Sequence, residues 1–421
     1  MLASTRESVE PPASSGIGPT ASFGDRAAGV TQLEPDGALD LRVGQPDRAL
    51  LPTALMTHCL NTALATYGPA ALAYGANAGP LPARAALAAW SQAVEGGSWG
   101  PEQVIVTAGA THALDLLCRE LGRSGDRVLV QRASYNLALD LFRRRGLEPW
   151  PVGADACLPT SPELGAAALA AKRAGTRIAF AYMMPTFHNP TGQSWTPAAR
   201  DAVLDSCRAL GIRIVEDDPY RDLYFADPPP RSLAARRPAE VIGVRTLSKV
   251  LAPGARLGWI VAGRGLAARL ALDPLFTGGG GIAHLAALTA ACLVPSTEFA
   301  AHLAELRFQY RVRRDALLGA MAPAREAGAE WDTPKGGFFL WVRLPDDIRA
   351  DDVETLAARR GVSLLDGLRC HADPGGEQRV RISFSMHSAA VLATAGEAIA
   401  AAVADARERP RQASAGPSEE H

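Results

Sequence analysis

Lysine and arginine together number 43 in this chain, yet only three of these residues, Lys172, Lys249 and Lys335, are lysines. Where guanidinium is the default cation, a retained primary amine points to work that guanidinium cannot do. A lysine can lose its proton when desolvated and act as a nucleophile, whereas an arginine in practice cannot. Lys249 lies in "RTLSKVLAPGARLGW", residues 245–259, close to the hydroxyls of Thr246 and Ser248 and to Arg256. Lys172, in "AAKRAGTR", reads as a surface charge at a helix end, and Lys335, before Gly336 and Gly337, as structural. Other residues fit chemistry around an amine: Gly109-Ala110-Thr111, Tyr135, Asn189, and Asp217 with Tyr220. Together they describe a phosphate cup, a ring platform, an acid and an amine.

These groups need a scaffold that brings them to one place. In open α/β sheets, ligands bind outside the carboxyl ends of the strands. The sequence alternates short apolar runs with amphipathic stretches: "QVIVTAGA", "DRVLVQ", "TRIAFAYMMP", "IRIVEDDPY", "VIGVRTLSK" and "LGWIVAG" read as strands. Each candidate group follows one of these runs. In "TPAARDAVLDSCRALG", Thr196 is an N-cap ahead of Pro197 and Gly211 a C-cap. The expected fold class is α/β, with a mostly parallel central sheet flanked by helices over residues 75–300. A smaller α+β domain over 301–408 follows, entered by the long amphipathic helix "STEFAAHLAELRFQYRVRRDALLGAM", and the segment 26–74 is expected to pack on it. Residues 1–25 and 409–421, rich in Pro, Ser, Gly and charge, read as flexible extensions.

Composition narrows the function. Hydrophobic residues make up 48% and charged residues 21%, as in soluble enzymes, and the net charge of −1 offers no electrostatic footprint for nucleic acid or an anionic membrane. No run approaches the roughly 20 apolar residues of a membrane span, and the N-terminus lacks a secretory pattern. The six cysteines are scattered without metal-ligand spacing, so no metal is expected and the thiols read as reduced, in a cytoplasmic protein.

The motifs "TAGATHALDLL", "FHNPTGQSW", "EDDPYRDLYF", "TLSKVLAPGARLGW", "PKGGFFLW" and "RVRISFS" occur in an order that resembles the fold-type I aminotransferases dependent on pyridoxal 5′-phosphate. The branch is similar to 2-aminoadipate aminotransferases and the aminotransferase-like domains of MocR-type regulators, and the likeness spans residues 40–400. It implies that Lys249 forms the Schiff base with the cofactor aldehyde and shuttles a proton. Asp217 would pair with the pyridine nitrogen. The family spacing, an acid three residues before a tyrosine, selects it over Asp218, and neighbouring strand residues face opposite ways. Tyr220 and Asn189 would bond the phenolic oxygen, and the Asn189-Pro190 turn admits a cis bond. Tyr135 would stack on the ring. Backbone N–H groups of Ala110 and Thr111 at a helix start after Gly109, with Thr246, Ser248 and Arg256, would hold the phosphate. Arg381, with Arg379 as its near rival, would clamp the substrate carboxylate, helped by a Gly44 backbone donor. Tyr74 would reach a phosphate across a homodimer interface.

The expected reaction is transamination between an α-amino acid and a 2-oxo acid through a carbanion. Elimination, replacement, cyclisation or carbon–carbon bond formation from that carbanion is the alternative, and a noncatalytic ligand-sensing domain the third. Some residues depart from the branch: "YGANAGP" follows a different pattern after Tyr74, Arg245 replaces a common glycine, and Gly278–Gly281 form an unusual run. That run reads as a hinge or close backbone approach, with an anion-binding nest as the rival. His188 and His371 read as structural.

Overall fold

The computed structural model describes residues 39–153, 158–373 and 375–408; the expected extensions 1–25 and 409–421 lie outside them. Apolar runs of four to six residues, buried on both faces, make the strands of a seven-stranded sheet, as parallel sheets covered by helices require. Its order in space is Val104–Thr107, Gly258–Val261, Val241–Thr246, Ile214–Asp217, Ile178–Met183, Arg127–Gln131, Glu148–Val152. Only Gly258–Val261 runs antiparallel to its neighbours. The carboxyl ends of the other strands therefore share one edge, where Thr107, Asp217 and Thr246 lie.

A second sheet, antiparallel, has the order Leu365–Asp366, Arg379–Ser383, Phe339–Arg343. It pairs Arg381 with Trp341. The helix Thr297–Met321 spans the boundary expected at 300.

The segment 26–74, expected to pack on the smaller domain, lies within the described residues only from 39 onward, and that part divides. Leu39–Asp40 pairs in parallel with Val362–Ser363, the Ser383 N–H donates to the Leu41 carbonyl at 2.8 Å, and Arg313 donates to Asp47 at 2.6 Å. The following helix, Thr53–Tyr67, leaves that region and packs on the helix His284–Leu293, with Ala63, Ala71 and Leu288 sharing a cluster. Small side chains at the contact allow this close approach.

The helix Ala389–Glu408 corrects another expectation. Its 20 residues and mean hydropathy of 1.5 meet the length and composition of a membrane span. Yet it buries Leu392, Ala395, Gly396, Ile399, Ala400, Ala402 and Val403 inside the protein, and alanine-rich helices carry such hydropathy without large side chains. At Gly396 a Cβ would fall 2.7 Å from the Ala320 Cβ and 3.0 Å from the Leu317 carbonyl. Gly396→Leu should therefore force the helices apart and destabilise the fold by about 1–3 kcal/mol; a chemical denaturation midpoint equal to wild type would show that the contact yields freely.

Candidate active site

Asp217 ends its strand with a side chain 3% exposed. Tyr182, one strand away, donates its phenol to Asp217 Oδ2 at 2.8 Å, while Oδ1 is buried without a partner. Burial raises this carboxyl to about 6; the charge of Asp218 adds to the rise, against the Tyr182 hydrogen bond and the charges of Arg245 and Lys249. Asp218 faces the opposite side, where Arg221 donates to it at 2.6 Å. The strand's alternation thus gives two adjacent aspartates different environments. Tyr182 escaped sequence reading because it sits inside the apolar run "IAFAYMM", where an aromatic reads as core; its two-residue phase with the strand was the available signal.

Across from Asp217, Lys249 Nζ donates to the Gly44 carbonyl at 2.6 Å and lies 6.0 Å from the ring centroids of Tyr220 and Phe338. Burial lowers this amine to about 8, and Arg381 and Arg256 add to the fall while Asp217 opposes it. Tyr220 is buried against Phe338 and Phe339, and its phenol is pushed up by burial. Tyr135, half-buried at the start of the helix Asn136–Arg144, is raised to about 12 by burial and then by the charge of Asp217.

Arg381 Nη1 donates to Asn189 Oδ1 at 2.9 Å, Nη2 donates to the Arg42 carbonyl at 2.5 Å, and the guanidinium lies 4.5 Å over the Phe339 ring. Arg379, its rival, pairs instead with the exposed Glu377. The Asn189-Pro190 peptide is cis. Gly44, expected to offer its N–H, also uses its carbonyl, which accepts from Lys249, and a Cβ there would strike the Phe339 ring at 2.4 Å.

The cup forms where the helix Gly109–Leu121 begins. No side chain caps it, so N–H groups of the first turn, which holds Ala110 and Thr111, face a favourable place for an anion. Gly109 has φ +80°, and a Cβ on it would sit 2.9 Å from Arg256 Nη2. Arg256, itself left-handed with φ 49°, donates to the Ala108 carbonyl at 3.1 Å. Thr246 Oγ1 donates to the Leu257 carbonyl at 2.9 Å and lies 2.9 Å from Ser248 Oγ. Gly258 lets this strand approach Gly109, where a Cβ would meet backbone at 2.7 Å.

Other expectations part from the cup. Arg245 lies on the far side of the sheet, in ion pairs with Glu95 and Glu216. The glycine run is a close backbone approach: Cβ atoms at Gly280 and Gly281 would fall 2.5 Å from the Gly75 carbonyl and 2.3 Å from the Ala76 carbonyl. Beside it Tyr74 is 87% exposed. His188 is buried and bonds Thr191 within its own turn, 2.9 Å away. Among the described residues no His, Cys, Asp and Glu group could hold a metal.

The aminotransferase class I and II family matches residues 37–399. The chain belongs to this family. It is 31% identical to the 2-aminoadipate transaminase of Thermus thermophilus over 83% of this chain and 86% of that protein. It is 27% identical to aromatic-amino-acid aminotransferase 1 of Thermococcus litoralis, over 86% and 88%. An uncharacterised HTH-type transcriptional regulator of Bacillus subtilis, YdfD, is 28% identical over 82% of this chain and 70% of its own length. The Pyrococcus horikoshii kynurenine aminotransferase structure, in complex with PMP, superposes with TM-score 0.81 at 27% identity, covering 88% and 91% of the two chains. The chain is a pyridoxal 5′-phosphate-dependent transferase of fold type I, as the resemblance implied.

The strained carboxyl of Asp217 has a thermodynamic signature. Its folded pKa lies above the ordinary 3.9, so the folded protein binds more protons between pH 4 and 6 and loses stability as pH rises through that window. In protein stripped of cofactor, Asp217→Asn should raise the melting temperature at pH 8 and change it little at pH 4, a gap worth up to about 3 kcal/mol. An equal effect at both pH values would contradict the burial argument.

Proposed function

We propose that this enzyme moves an amino group between an α-amino acid and a 2-oxo acid, with Lys249 as its catalytic amine. The observation that carries this reading is the placement of Lys249 Nζ, bonded to the Gly44 carbonyl beside Tyr220 and Phe338, where burial first and then the Arg381 and Arg256 guanidiniums lower the amine to about 8 against the charge of Asp217. Several features fit pyridoxal 5′-phosphate: the partnerless buried Asp217 Oδ1 suits a ring N–H, and the uncapped helix start with Arg256 suits a phosphate. When bound, the cofactor supplies an aldehyde for the amine and a cationic ring that accepts the electron pair left at the substrate Cα.

The chain's own residues do the rest. Lys249 Nζ, lowered far enough that a fraction is neutral at physiological pH, attacks as an amine and afterwards takes and returns a proton at Nζ. Asp217 holds the ring nitrogen's proton, and Tyr182 holds Asp217. Asn189 and Tyr220 would donate to the ring's phenolic oxygen, and Tyr135 would stack on the ring. Thr246, Ser248, Arg256 and the N–H groups of Ala110 and Thr111 bind the phosphate. Arg381 takes the substrate's α-carboxylate in a two-pronged grip. Tyr74, exposed beside the glycine run, extends to the phosphate of a second copy in a homodimer. The free thiols of Cys59, Cys118, Cys207, Cys292 and Cys370 support a reducing, cytoplasmic setting.

Borohydride reduction of the holoenzyme followed by peptide mapping should mark Lys249 and no other residue. Mixing the holoenzyme with a panel of amino acids, without acceptor, should release one equivalent of 2-oxo acid per site and no ammonia; ammonia release would point to elimination. Arg381→Leu should raise KM for the amino acid by about 100-fold, the loss of a charge-assisted fork, and an unchanged KM would place the carboxylate elsewhere.

A further inference from the structure

Behind Asp217, on the face of the sheet turned away from the cup, three cations and three carboxylates are buried together. Arg245 donates a fork to Glu95, with Nε to Oε1 at 2.7 Å and Nη2 to Oε2 at 2.6 Å. The same Nη2 reaches Glu216 Oε2 at 2.9 Å. Arg245 Nη1 donates to the Glu216 carbonyl at 3.1 Å, which belongs to the peptide unit joining Glu216 to Asp217, and to the Val244 carbonyl at 3.0 Å. Arg221 pairs with Asp218 at 2.6 Å, and Arg200 lies 3.9 Å from Glu216. Glu216 also accepts from the N–H groups of Leu233 and Ala234, and Ser232 donates to Glu95. Room for the guanidinium comes from Gly243, where a Cβ would fall 2.9 Å from Arg245 Nη2.

We propose that Arg245 is a positioning residue for Asp217, fixing the peptide in front of it and balancing the carboxylates on either side so that Asp217 meets the cofactor ring as an anion. The inference rests on the reading that Asp217 pairs with the ring nitrogen. With Arg245 in place the buried charges cancel. Without it, one negative charge is in excess on the Asp217 side of that pair, and the shared proton moves from the ring nitrogen to the carboxylate. Tyr182, Lys249, Tyr135 and Tyr220 face Asp217 from the cup and are untouched by the change.

The test loads the protein with ¹⁵N-labelled pyridoxal 5′-phosphate and follows the ring-nitrogen NMR signal against pH. Asp217→Asn should move the signal toward the unprotonated position; no movement would overturn the pairing itself. With that movement seen, Arg245→Leu should move the signal at least halfway to the same position at pH 8, and Arg245→Lys, which keeps the charge, should hold it near wild type. A folded Arg245→Leu protein with the wild-type signal would overturn the proposal while the Asp217 pairing stands. Should Arg245→Leu fail to fold, Glu95→Gln decides: it leaves excess positive charge behind the pair, so the pH at which the ring loses its proton to solvent should fall by about one unit. A rise, or no change, would overturn the proposal. The paired variant Arg245→Met with Glu95→Gln, which removes one charge of each sign, should return the signal close to wild type.

Discussion

A carboxylate and an amine held in the same dry space is the constraint on which this site depends. Desolvation alone pushes both toward neutrality, Asp217 upward and Lys249 downward. Each charge favours the other, but their attraction is opposed by Arg381 and Arg256 at the amine and by Asp218 at the carboxyl. The result is two groups whose protonation lies near physiological pH, where small changes in surroundings alter proton ownership. Few surface sites have this property, because water would restore ordinary behaviour.

The fold meets that constraint from two sides. Six strands with a common direction deliver Asp217, Thr246 and the Gly109 helix start to one edge, and the antiparallel Gly258–Val261 strand fills the remaining place beside Val104–Thr107. Opposite, the three-stranded sheet supplies Arg381 and the Phe339 ring beneath it. The stretch from Leu39 to Asp47 ties the two together: fastened to Val362–Ser363 and Arg313, it offers the carbonyls of Arg42 and Gly44 to the cations. These carbonyls are backbone groups carried by a stretch fastened at both ends, and at Gly44 the lack of a side chain is itself required, since a Cβ would strike the Phe339 ring.

Much of this was legible beforehand because it is local. A strand run followed by a polar cluster announces a site, and the scarcity of lysine singled out Lys249. Asp217 and Asp218 face different partners, as strand alternation, a short-range rule, leads one to expect. What escaped depends on partners distant in sequence. Tyr182 reads as core until the neighbouring strand sets Asp217 against its phenol. Arg245 directly precedes Thr246 of the cup, yet its side chain crosses to Glu95, 150 residues away. The helix Thr53–Tyr67 leaves the region it was expected to pack on, for a contact with a helix more than 200 residues on, where Ala63 and Leu64 meet Leu285 and Leu288. Composition likewise marked no span in Ala389–Glu408, whose alanines raise hydropathy while its buried stripe makes it a core element.

The arginine bias has a further result. Lys172 and Lys335 are both exposed, so replacing these two by arginine would conserve charge and leave the half-buried Lys249 as the sole ε-amino group in the chain. Acylating, cross-linking or fluorescent reagents selective for a primary amine would then have a single side-chain target, because guanidinium is silent to them. A fold that has discarded lysine elsewhere turns its own chemistry into an address.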